Sequence, residues 1–288
     1  MNQRELKHKI FWKYFFRKGR FINFKNPKLF TEKIQWLKVY DCLPIKTTLA
    51  DKLAVRDWVK DKIGEEYLKQ IYAVASCYED INFREMPKEF VIKTNHGCNM
   101  QKMIIEGAVA FPSLKTIFNN FLNINYAYKS GYEMQYDKIP PKIFVEEYIK
   151  NTNELFEYLF FCFNGEPKFV MFSSDKRTDK IKSTMFDMEW NNLGFNYGNY
   201  LHNEPVECPK NFDKMIDIAR ILSKDFKFVR VDLHNIDGKI YFGEMTFTPA
   251  SGYMKFSKPK YDRIFGDMLN LDLWNSYWWL LFKMFYVV

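Results

Sequence analysis

Glycine is scarce in this chain, with 12 residues among 288, and this limits one common way of binding phosphate. Loops that cradle a phosphate through glycine backbone must be few, because other residues keep the backbone amides further from the ligand. Aromatic residues are abundant instead: they make up 19% of the chain, and all hydrophobic residues 47%. This composition predicts a sizeable core, in one large domain or in two lobes.

Cysteine is also rare and follows no framework pattern. The five cysteines are an odd number and form no CxxC pair, which argues against a disulfide framework and predicts a reducing, cytoplasmic environment. The N-terminus lacks the continuous apolar core of a signal peptide. The five positions are Cys42, Cys77, Cys98, Cys162 and Cys208.

The formal net charge of +8 indicates an anionic partner: a nucleotide, an acidic polysaccharide, a nucleic acid or a membrane surface. A nucleic acid is the least favoured of these, because the basic residues are dispersed and no known recognition motif occurs. We therefore expect no nucleic-acid partner.

The N-terminal segment, residues 5–24, raises the question of membrane contact because it mixes basic and aromatic side chains. At helical spacing, Ile10, Tyr14 and Phe21 could form one apolar stripe. Such a segment is either an interfacial helix on an anionic membrane or a helix packed on the domain, which is the more common case.

The C-terminal segment, residues 271–288, is rich in aromatic and aliphatic side chains but is interrupted by Asp272 and Lys283. Its apolar part is shorter than the roughly 20 residues of a spanning helix. It predicts a docked helix or an interfacial anchor, so peripheral membrane contact through both termini is an open hypothesis.

Helical and strand-like segments are mixed along the chain, and several strands are joined by hairpins. This mixture predicts an α+β fold rather than a doubly wound parallel sheet. Helices are predicted at 31–37, 49–63, 113–128 and 212–226, and strands at 71–75, 90–94, 143–149 and on either side of Asn164-Gly165.

The most informative segment is the hairpin from Lys227 to Pro249. Arg230 and Asp232 share one face of its first strand, and Glu244 and Thr246 lie on its second. Charges inside strongly β-forming runs are costly to bury unless they are paired or bind a cation. The alternatives are a surface hairpin with a cross-strand ion pair and a metal site.

The register of this hairpin decides whether the two carboxylates meet. A two-residue turn at Asp237-Gly238 would place Asp232 opposite Gly243 and send Glu244 to the other face. A three-residue loop starting at Ile236 restores the shared face and pairs Arg230 with Glu244. We predict the three-residue loop.

Other charged residues lie at strand ends. Lys93 ends the strand-like run FVIKTNHG, and with the following Asn-His-Gly it could bind a phosphate or be a solvated lysine. Of Glu146 and Glu147, adjacent in a strand, one points inward and is either paired or in contact with a ligand.

These residues together indicate phosphoryl chemistry. Mg²⁺ takes oxygen ligands from one or two carboxylates and from substrate phosphates, and Asp232 and Glu244 could supply the carboxylates. Lys93 and Arg230 would then neutralise phosphate charge. A metal ion bridging phosphate oxygens recurs in phosphoryl transfer.

Long sequence blocks resemble the TupA-like ATP-grasp proteins, which are named for teichuronopeptide synthesis and occur in bacterial surface-polysaccharide biosynthesis. The resemblance runs from about Asn26 to about Asp267 and implies an ATP-grasp fold, in which two α+β lobes clasp ATP and Mg²⁺. It divides the chain into an N-terminal segment (1–28), a helical region with the first lobe (29–145), the second lobe (146–270) and a tail (271–288). The blocks that carry it are 26–41, 49–68, 90–97, 160–170 and 228–252.

The resemblance implies ATP-dependent ligation of an amine to a carboxylate of a polysaccharide or its precursor, through an acyl-phosphate. It also implies a role for each candidate residue. Lys93 would bind ATP phosphate, Glu146 and Glu147 would contact adenine and ribose, Asp232, Glu244 and Thr246 would hold Mg²⁺, and Arg230 would stabilise the transferring phosphoryl group.

Two departures from the family pattern weaken the phosphate side of the site. The family usually has a glycine-rich loop after Asn-His-Gly, whereas this chain continues Cys98-Asn99-Met100-Gln101-Lys102. Lys102 could substitute as a point charge. Glu157-Tyr158-Leu159 stands where the family commonly has Asp-Tyr-Lys, so a basic contact is missing.

Two other functions stay open. One is a glycosyltransferase of the same pathway, which is disfavoured because the chain has no Asp-x-Asp metal motif. The other is a catalytically weakened relative that binds nucleotide or polysaccharide and serves as a scaffold.

Overall fold

The computed structural model describes residues 1–105, 111–129, 131–149, 156–174, 181–198, 200–202 and 204–271. The prediction for the C-terminal segment lies outside these ranges apart from Leu271. The described residues form eight α-helices and nine strands in two antiparallel sheets, which confirms the α+β class. The helices are α1 (Gln3–Lys18), α2 (Phe30–Tyr40), α3 (Pro44–Ala50), α4 (Val55–Ile63), α5 (Phe111–Leu122), α6 (Tyr126–Lys129), α7 (Phe212–Ser223) and α8 (Lys260–Met268). The strands are β1 (Ile71–Ala75), β2 (Phe90–Thr94), β3 (Gln101–Ile104), β4 (Ile143–Glu147), β5 (Glu157–Phe163), β6 (Glu166–Ser174), β7 (Lys182–Phe186), β8 (Phe228–Ile236) and β9 (Lys239–Thr246).

The first sheet has the strand order β1-β4-β2-β3. Because side chains alternate along a strand, Ile92 and Val145 turn to one face, where Phe118 of α5 completes a hydrophobic core. Lys93 and Glu146 lie on the opposite face. The first sheet therefore has one dry face and one face that carries charge.

The second sheet has the order β7-β6-β5-β8-β9 and a hydrophobic core on each face. Val59 of α4 and Leu222 of α7 belong to one core, and Ile10, Ile34 and Phe265 of α1, α2 and α8 belong to the other. The helices that precede the first sheet in sequence thus pack on the second sheet.

Most predicted elements form, but two long helices are broken. The strands at Ile71–Ala75 and Phe90–Thr94 and the Asn164-Gly165 hairpin are confirmed. The helix predicted at 49–63 is wrong in its extent, because the Asp51 carboxylate accepts hydrogen bonds from the N–H groups of Leu53 and Ala54 between α3 and α4. Aspartate competes in this way with the helical backbone pattern. The helix predicted at 113–128 is also two helices, α5 and α6.

The three-residue loop predicted between β8 and β9 is wrong. Ile236 pairs with Lys239, so only Asp237 and Gly238 lie in the turn. Both have positive φ, at 52° and 94°, which is typical of the two-residue turn that matches the twist of a hairpin.

A β-bulge nevertheless brings the carboxylates together. The register shifts between Asp232 and Leu233, so that Gly243 is the extra residue and Asp232 pairs directly with Glu244. The predicted direct pairing of Arg230 with Glu244 is wrong, because Arg230 lies opposite Thr246. The shared face survives for a reason that the sequence did not reveal.

Helix α1 is packed on the domain. Asn2 caps its start, since its side chain accepts a hydrogen bond from a first-turn amide, and Gly19 ends it in the left-handed conformation. The predicted stripe is confirmed for Ile10 and Tyr14, which are buried, and wrong for Phe21, which is 55% exposed. Within the described ranges, no helix is both long and apolar enough to cross a bilayer.

Candidate functional site

A cleft of about 440 Å³ lies between the two sheets. It brings together six of the eight predicted site residues, and Lys102 and Thr246 are the two that do not line it. The six come from both sheets: Lys93, Glu146, Glu147, Arg230, Asp232 and Glu244.

The register of the first sheet explains its side of the cleft. Lys93 pairs with Phe144 on one neighbouring strand and with Gln101 on the other, while Val91 pairs with Glu146. Paired residues share a face, so these five side chains form a patch of mixed polarity that lines the cleft.

Glu146 holds two lysines at this wall. It is buried, its Oε1 accepts a hydrogen bond from Lys93, and Nζ of Lys69 lies 3.7 Å from the same oxygen. Burial alone would raise the pKa of Glu146, but Lys93 and Lys69 hold this pKa below its usual range. Burial lowers the pKa of Lys69 to about 8 despite the nearby carboxylate. One carboxylate therefore keeps two amines together, and one of them loses its proton readily.

The second sheet contributes one end of a face that is otherwise covered by helices. Along β8, Phe228, Arg230, Asp232 and His234 alternate onto this face. Phe228 is buried in the core formed with α1, α2 and α8, whereas the other three side chains line the cleft. The polar residues begin where the helices no longer cover the sheet.

Arg230 is the centre of this polar end. Its Nε and Nη2 donate to the two carboxylate oxygens of Asp232 at 2.6 and 2.5 Å, and its Nη1 donates to the hydroxyl of Tyr197 at 3.2 Å. Nη2 also lies 3.4 Å from Glu244 Oε1 and 3.1 Å from Thr246 Oγ1. Burial disfavours the charge, but Asp232, Tyr197 and Glu244 together more than offset this effect and raise the pKa of Arg230 well above its ordinary value.

The oxygens around Arg230 fit a magnesium site in their chemistry. Asp232, Glu244 and Thr246 place oxygen atoms around one cationic nitrogen, and the Thr246 hydroxyl donates to Glu244 at 3.1 Å. Carboxylate and hydroxyl oxygens are hard ligands of the kind that Mg²⁺ prefers. The described part of the chain has no group of three or more His, Cys, Asp or Glu side chains arranged to hold a metal. Substrate oxygens would therefore have to complete the coordination.

Glu147 and Lys102 lie outside these two clusters. Glu147 alternates away from Glu146, and its carboxylate accepts a hydrogen bond from the N–H of Gln70 at 3.2 Å at the edge of the cleft. Lys102 pairs with Ile92 on the other face of the first sheet and is exposed. Lys102 therefore does not face the cleft and does not replace a phosphate-binding loop.

Asn95 and His96 anchor the loop between β2 and β3 through hydrogen bonds. The Asn95 side chain donates to Asp51 at 3.0 Å and accepts from the N–H of Lys142 at 2.8 Å. Nε2 of His96 lies 3.2 Å from the carbonyl oxygen of Phe121. Neither side chain lines the cleft, so Asn95 and His96 hold the loop in place from behind the cleft wall.

The loop itself faces the cleft with side chains. Cys98 and Asn99 line the cleft, and Asn99 adopts a positive φ of 59°. Buried Met100 anchors the loop, since its carbonyl accepts from the N–H of Thr94 at 3.0 Å. Side chains thus stand where glycines would leave backbone amides accessible.

Sequence reasoning missed three basic residues of the cleft, Lys52, Arg56 and Lys69. Lys52 donates to the carbonyl of Gly97, and its Nζ lies 3.9 Å from Glu244 Oε2, so it joins the loop of the first sheet to a carboxylate of the second. These residues lie in helical or irregular segments without the period-2 alternation that marked the strands. Lys52 and Arg56 lie in the sequence block 49–68 that resembles the family, and this resemblance was the only signal that could have indicated them.

One protein family matches the chain. The family model described as TupA-like ATPgrasp matches residues 32–270, a range that includes both sheets and the whole cleft. No curated protein matches the chain.

Solved structures show remote similarity. A D-alanine–D-alanine ligase from Bacillus anthracis is 17% identical, covering 82% of this chain and 67% of its own, with a TM-score of 0.43. An L-amino acid ligase from Bacillus licheniformis is 11% identical, covering 85% and 55%, with a TM-score of 0.42. A D-cycloserine synthetase is 12% identical, covering 80% and 72%, with a TM-score of 0.45. The chain spans 55% to 72% of the length of these proteins.

Proposed function

The chain belongs to the TupA-like ATP-grasp family, and from this premise we propose that it is an ATP-dependent ligase that joins a carboxylate to an amine. One observation carries the proposal. Two lysines held by one carboxylate on the first sheet face, across a cleft, an arginine with two carboxylates and a hydroxyl on the second. Such walls suit a polyphosphate, because phosphate oxygens would meet cationic donors on both sides of the cleft.

The proposed reaction has two steps. A carboxylate oxygen of the acceptor attacks the γ-phosphorus of ATP, the bond to the β–γ bridging oxygen breaks, and ADP leaves. The amine nitrogen then attacks the acyl carbon, phosphate leaves, and the nitrogen loses a proton as the amide bond forms. Arg230 lies where its guanidinium would stabilise charge on the transferring phosphoryl group.

The first sheet would bind the phosphates. Lys93 and Lys69 supply two ammonium groups, and Glu146 sets their separation and keeps them oriented. Glu146 therefore acts on the lysines, whereas Glu147 at the cleft edge is the better placed of the two to accept a hydrogen bond from ribose. Val91, Met103 and Phe144 offer an apolar wall for adenine.

The second sheet would hold magnesium. Asp232, Glu244 and Thr246 are the proposed ligands, and the ion would neutralise phosphate charge when bound. Arg230 must move from its bidentate contact with Asp232 for all three groups to bind a metal. The hydroxyl of Tyr197, its other partner, remains available to it.

The acceptor that we propose is a carboxylate of a bacterial surface polysaccharide or its precursor, as the family resemblance implies. The basic side chains of the cleft, among them Lys52, Arg56 and Lys69, would attract an acidic glycan. Because ATP is the phosphoryl donor and all five cysteines are free, we place the reaction in the cytoplasm.

The test measures ATP binding and turnover in the purified protein. Millimolar Mg-ATP should raise the melting temperature, and one member of a panel of amino acids and uronic acid-containing glycans should elicit release of ADP and phosphate. Both effects should be lost in Asp232→Asn and Glu244→Gln. Asp267→Asn, which removes an exposed carboxylate on α8, is the matched control and should behave as wild type.

Three outcomes would redirect the proposal. If Mg-ATP gives no thermal stabilisation, the ligase proposal fails. If a nucleotide-sugar stabilises the protein and ATP does not, the glycosyltransferase function is favoured over the ligase. If ATP binds but no acceptor elicits ADP release, a nucleotide-binding scaffold with a weakened phosphate loop explains the Cys98-Asn99 side chains better.

A further inference from the structure

The outward side of α1 and the turn after it expose a cluster of aromatic rings. We name it the α1 aromatic surface and define it by Phe11, Trp12, Phe15, Phe16 and Phe21. Phe16 is 78% exposed, Phe21 55% and Trp12 43%. Soluble proteins rarely expose contiguous groups of large apolar side chains, and such groups commonly mark an interaction site.

The surface is built by the local fold. Trp12 and Phe16 are four residues apart, as are Phe11 and Phe15, so each pair lies along one side of the helix. Gly19 turns the chain back, and Phe21 stacks on Phe15 with ring centroids 4.5 Å apart. Leu6, Ile10 and Tyr14 bury the inner side of the helix in the core, and Phe11 packs partly against the same core.

Charge is concentrated in the same segment. Residues 1–28 contain nine Lys and Arg against one Glu, so this segment carries a net charge of +8. That equals the net charge of the whole chain, because the charges of the remaining residues cancel. Several of these basic side chains are exposed: Arg4, Lys9, Arg17, Arg20 and Lys25. An exposed aromatic surface within such a segment complements an anionic partner that also accepts apolar groups.

We propose that the α1 aromatic surface docks the protein on an anionic phospholipid bilayer. Phenylalanine and tryptophan would enter the boundary between headgroups and acyl chains, while lysine and arginine would meet the negative headgroups. This inference does not rest on the proposed ligase activity.

Two other partners fit less well. A second copy of the chain would bring a like-charged segment against this one, which is repulsive. Single-stranded nucleic acid would need free ring faces for base stacking, but Phe21 is already stacked on Phe11 at 5.2 Å and on Phe15 at 4.5 Å.

The test is co-sedimentation of the full chain with lipid vesicles. The protein should sediment with vesicles of phosphatidylcholine mixed with phosphatidylserine and much less with phosphatidylcholine alone, and added salt should weaken binding. The double variant Trp12→Ser/Phe16→Ser should bind roughly tenfold less, because two large apolar side chains are lost from the interface. Its melting temperature should change little, since Phe16 is mostly exposed and Trp12 contacts rings of the same surface.

The matched control is Tyr200→Ser/Ile221→Ser, which removes two exposed apolar side chains elsewhere and should bind as wild type. Equal binding by the Trp12/Phe16 variant and wild type would overturn the proposal. Failure of the full chain to sediment with the anionic vesicles would also overturn it. The occupant of the surface would then be a different one, either residues 272–288 or a second copy of the chain. Light scattering would then identify the second copy, as dimers that the Trp12/Phe16 variant lacks.

Discussion

Glu146 sets the electrostatics of the wall that the first sheet contributes to the cleft. Its buried carboxylate accepts a hydrogen bond from Lys93 and lies 3.7 Å from Lys69. A buried charge is stable only when it is paired, and here one negative group serves two positive ones. The wall therefore carries an excess positive charge that an anionic ligand can satisfy.

This arrangement predicts the pH dependence of ATP binding. The pKa of Lys69 is lowered to about 8 by burial, so above that pH the free protein loses this charge. Binding of the ATP phosphates would raise the pKa of Lys69, so above pH 8 Lys69 would have to take up a proton when ATP binds. The contribution of Lys69 to ATP affinity should therefore be constant below pH 8, and the affinity should weaken by up to about tenfold per pH unit above it.

Calorimetric titration of ATP at a series of pH values checks this prediction. Lys69→Arg keeps its charge throughout and should remove the decline above pH 8. Lys115→Arg changes an exposed lysine of α5 and should keep the decline of the wild type. The same decline in Lys69→Arg would show that another group is responsible.

The charged residues of the strands could be predicted, because alternation along a strand fixes which of them share a face. Arg230 and Asp232 are two residues apart, and their common face followed from this spacing alone. Lys69 lies just before a strand, where no periodicity constrains its direction, and its burial depends on residues far away in sequence. The position of such a residue in the cleft can be recognised only from the three-dimensional arrangement of the sheets.

At the level of elements, the β8–β9 hairpin depends on a single glycine. Gly243 is the extra residue of the bulge that places Glu244 opposite Asp232. A Cβ atom at this position would lie 2.9 Å from the backbone carbonyl oxygen of Asp232, closer than real Cβ contacts. The turn chemistry of Asp237-Gly238 was readable from the sequence, whereas the bulge was not, because a lone glycine in a strand allows several registers.

Replacing this glycine should therefore damage the site and the stability together. Gly243→Ala should lower the free energy of unfolding by about 1–3 kcal/mol, since backbone must move to accommodate the methyl group. It should also abolish the thermal stabilisation by Mg-ATP, because the shift displaces Glu244. Urea unfolding and thermal melts with and without Mg-ATP measure both effects.

The control for this variant is Gly19→Ala. Gly19 has a positive φ of 67°, but no atom lies within 4 Å of the position that an alanine methyl group would occupy, so only backbone strain of about 1 kcal/mol is expected. Its response to Mg-ATP should equal that of wild type. Full stabilisation of Gly243→Ala by Mg-ATP would mean that the bulge does not matter for the site.

At the scale of the whole molecule, order in sequence and order in space differ. Helices α1 to α4 precede the first sheet in sequence, but most of their buried apolar residues belong to the two cores of the second sheet. An amphipathic pattern predicts that a helix has a buried side, and it does not say which sheet receives it. The predicted division of the chain at 145/146 falls within β4, whose residues 143–147 all belong to the first sheet.

This architecture leads to a prediction about the whole molecule. If ATP binds between the sheets, a single binding event should slow backbone hydrogen exchange in both of them. Mg-ATP should protect β2 and β4 of the first sheet together with β8 and β9 of the second. Helices α1 and α8, on the covered part of the second sheet, should exchange as before.

Variants confined to the first sheet make the test specific. Lys93→Met removes a proposed phosphate contact of the first sheet, so it should abolish protection in β8 and β9 as well, although Lys93 belongs to neither strand. Lys115→Met on α5 is the control and should keep the full protection pattern. Hydrogen exchange read by mass spectrometry resolves these segments. Protection that is limited to one sheet would mean that the nucleotide does not bridge the cleft. Protection that persists in β8 and β9 of Lys93→Met would mean that the second sheet binds the nucleotide independently of Lys93.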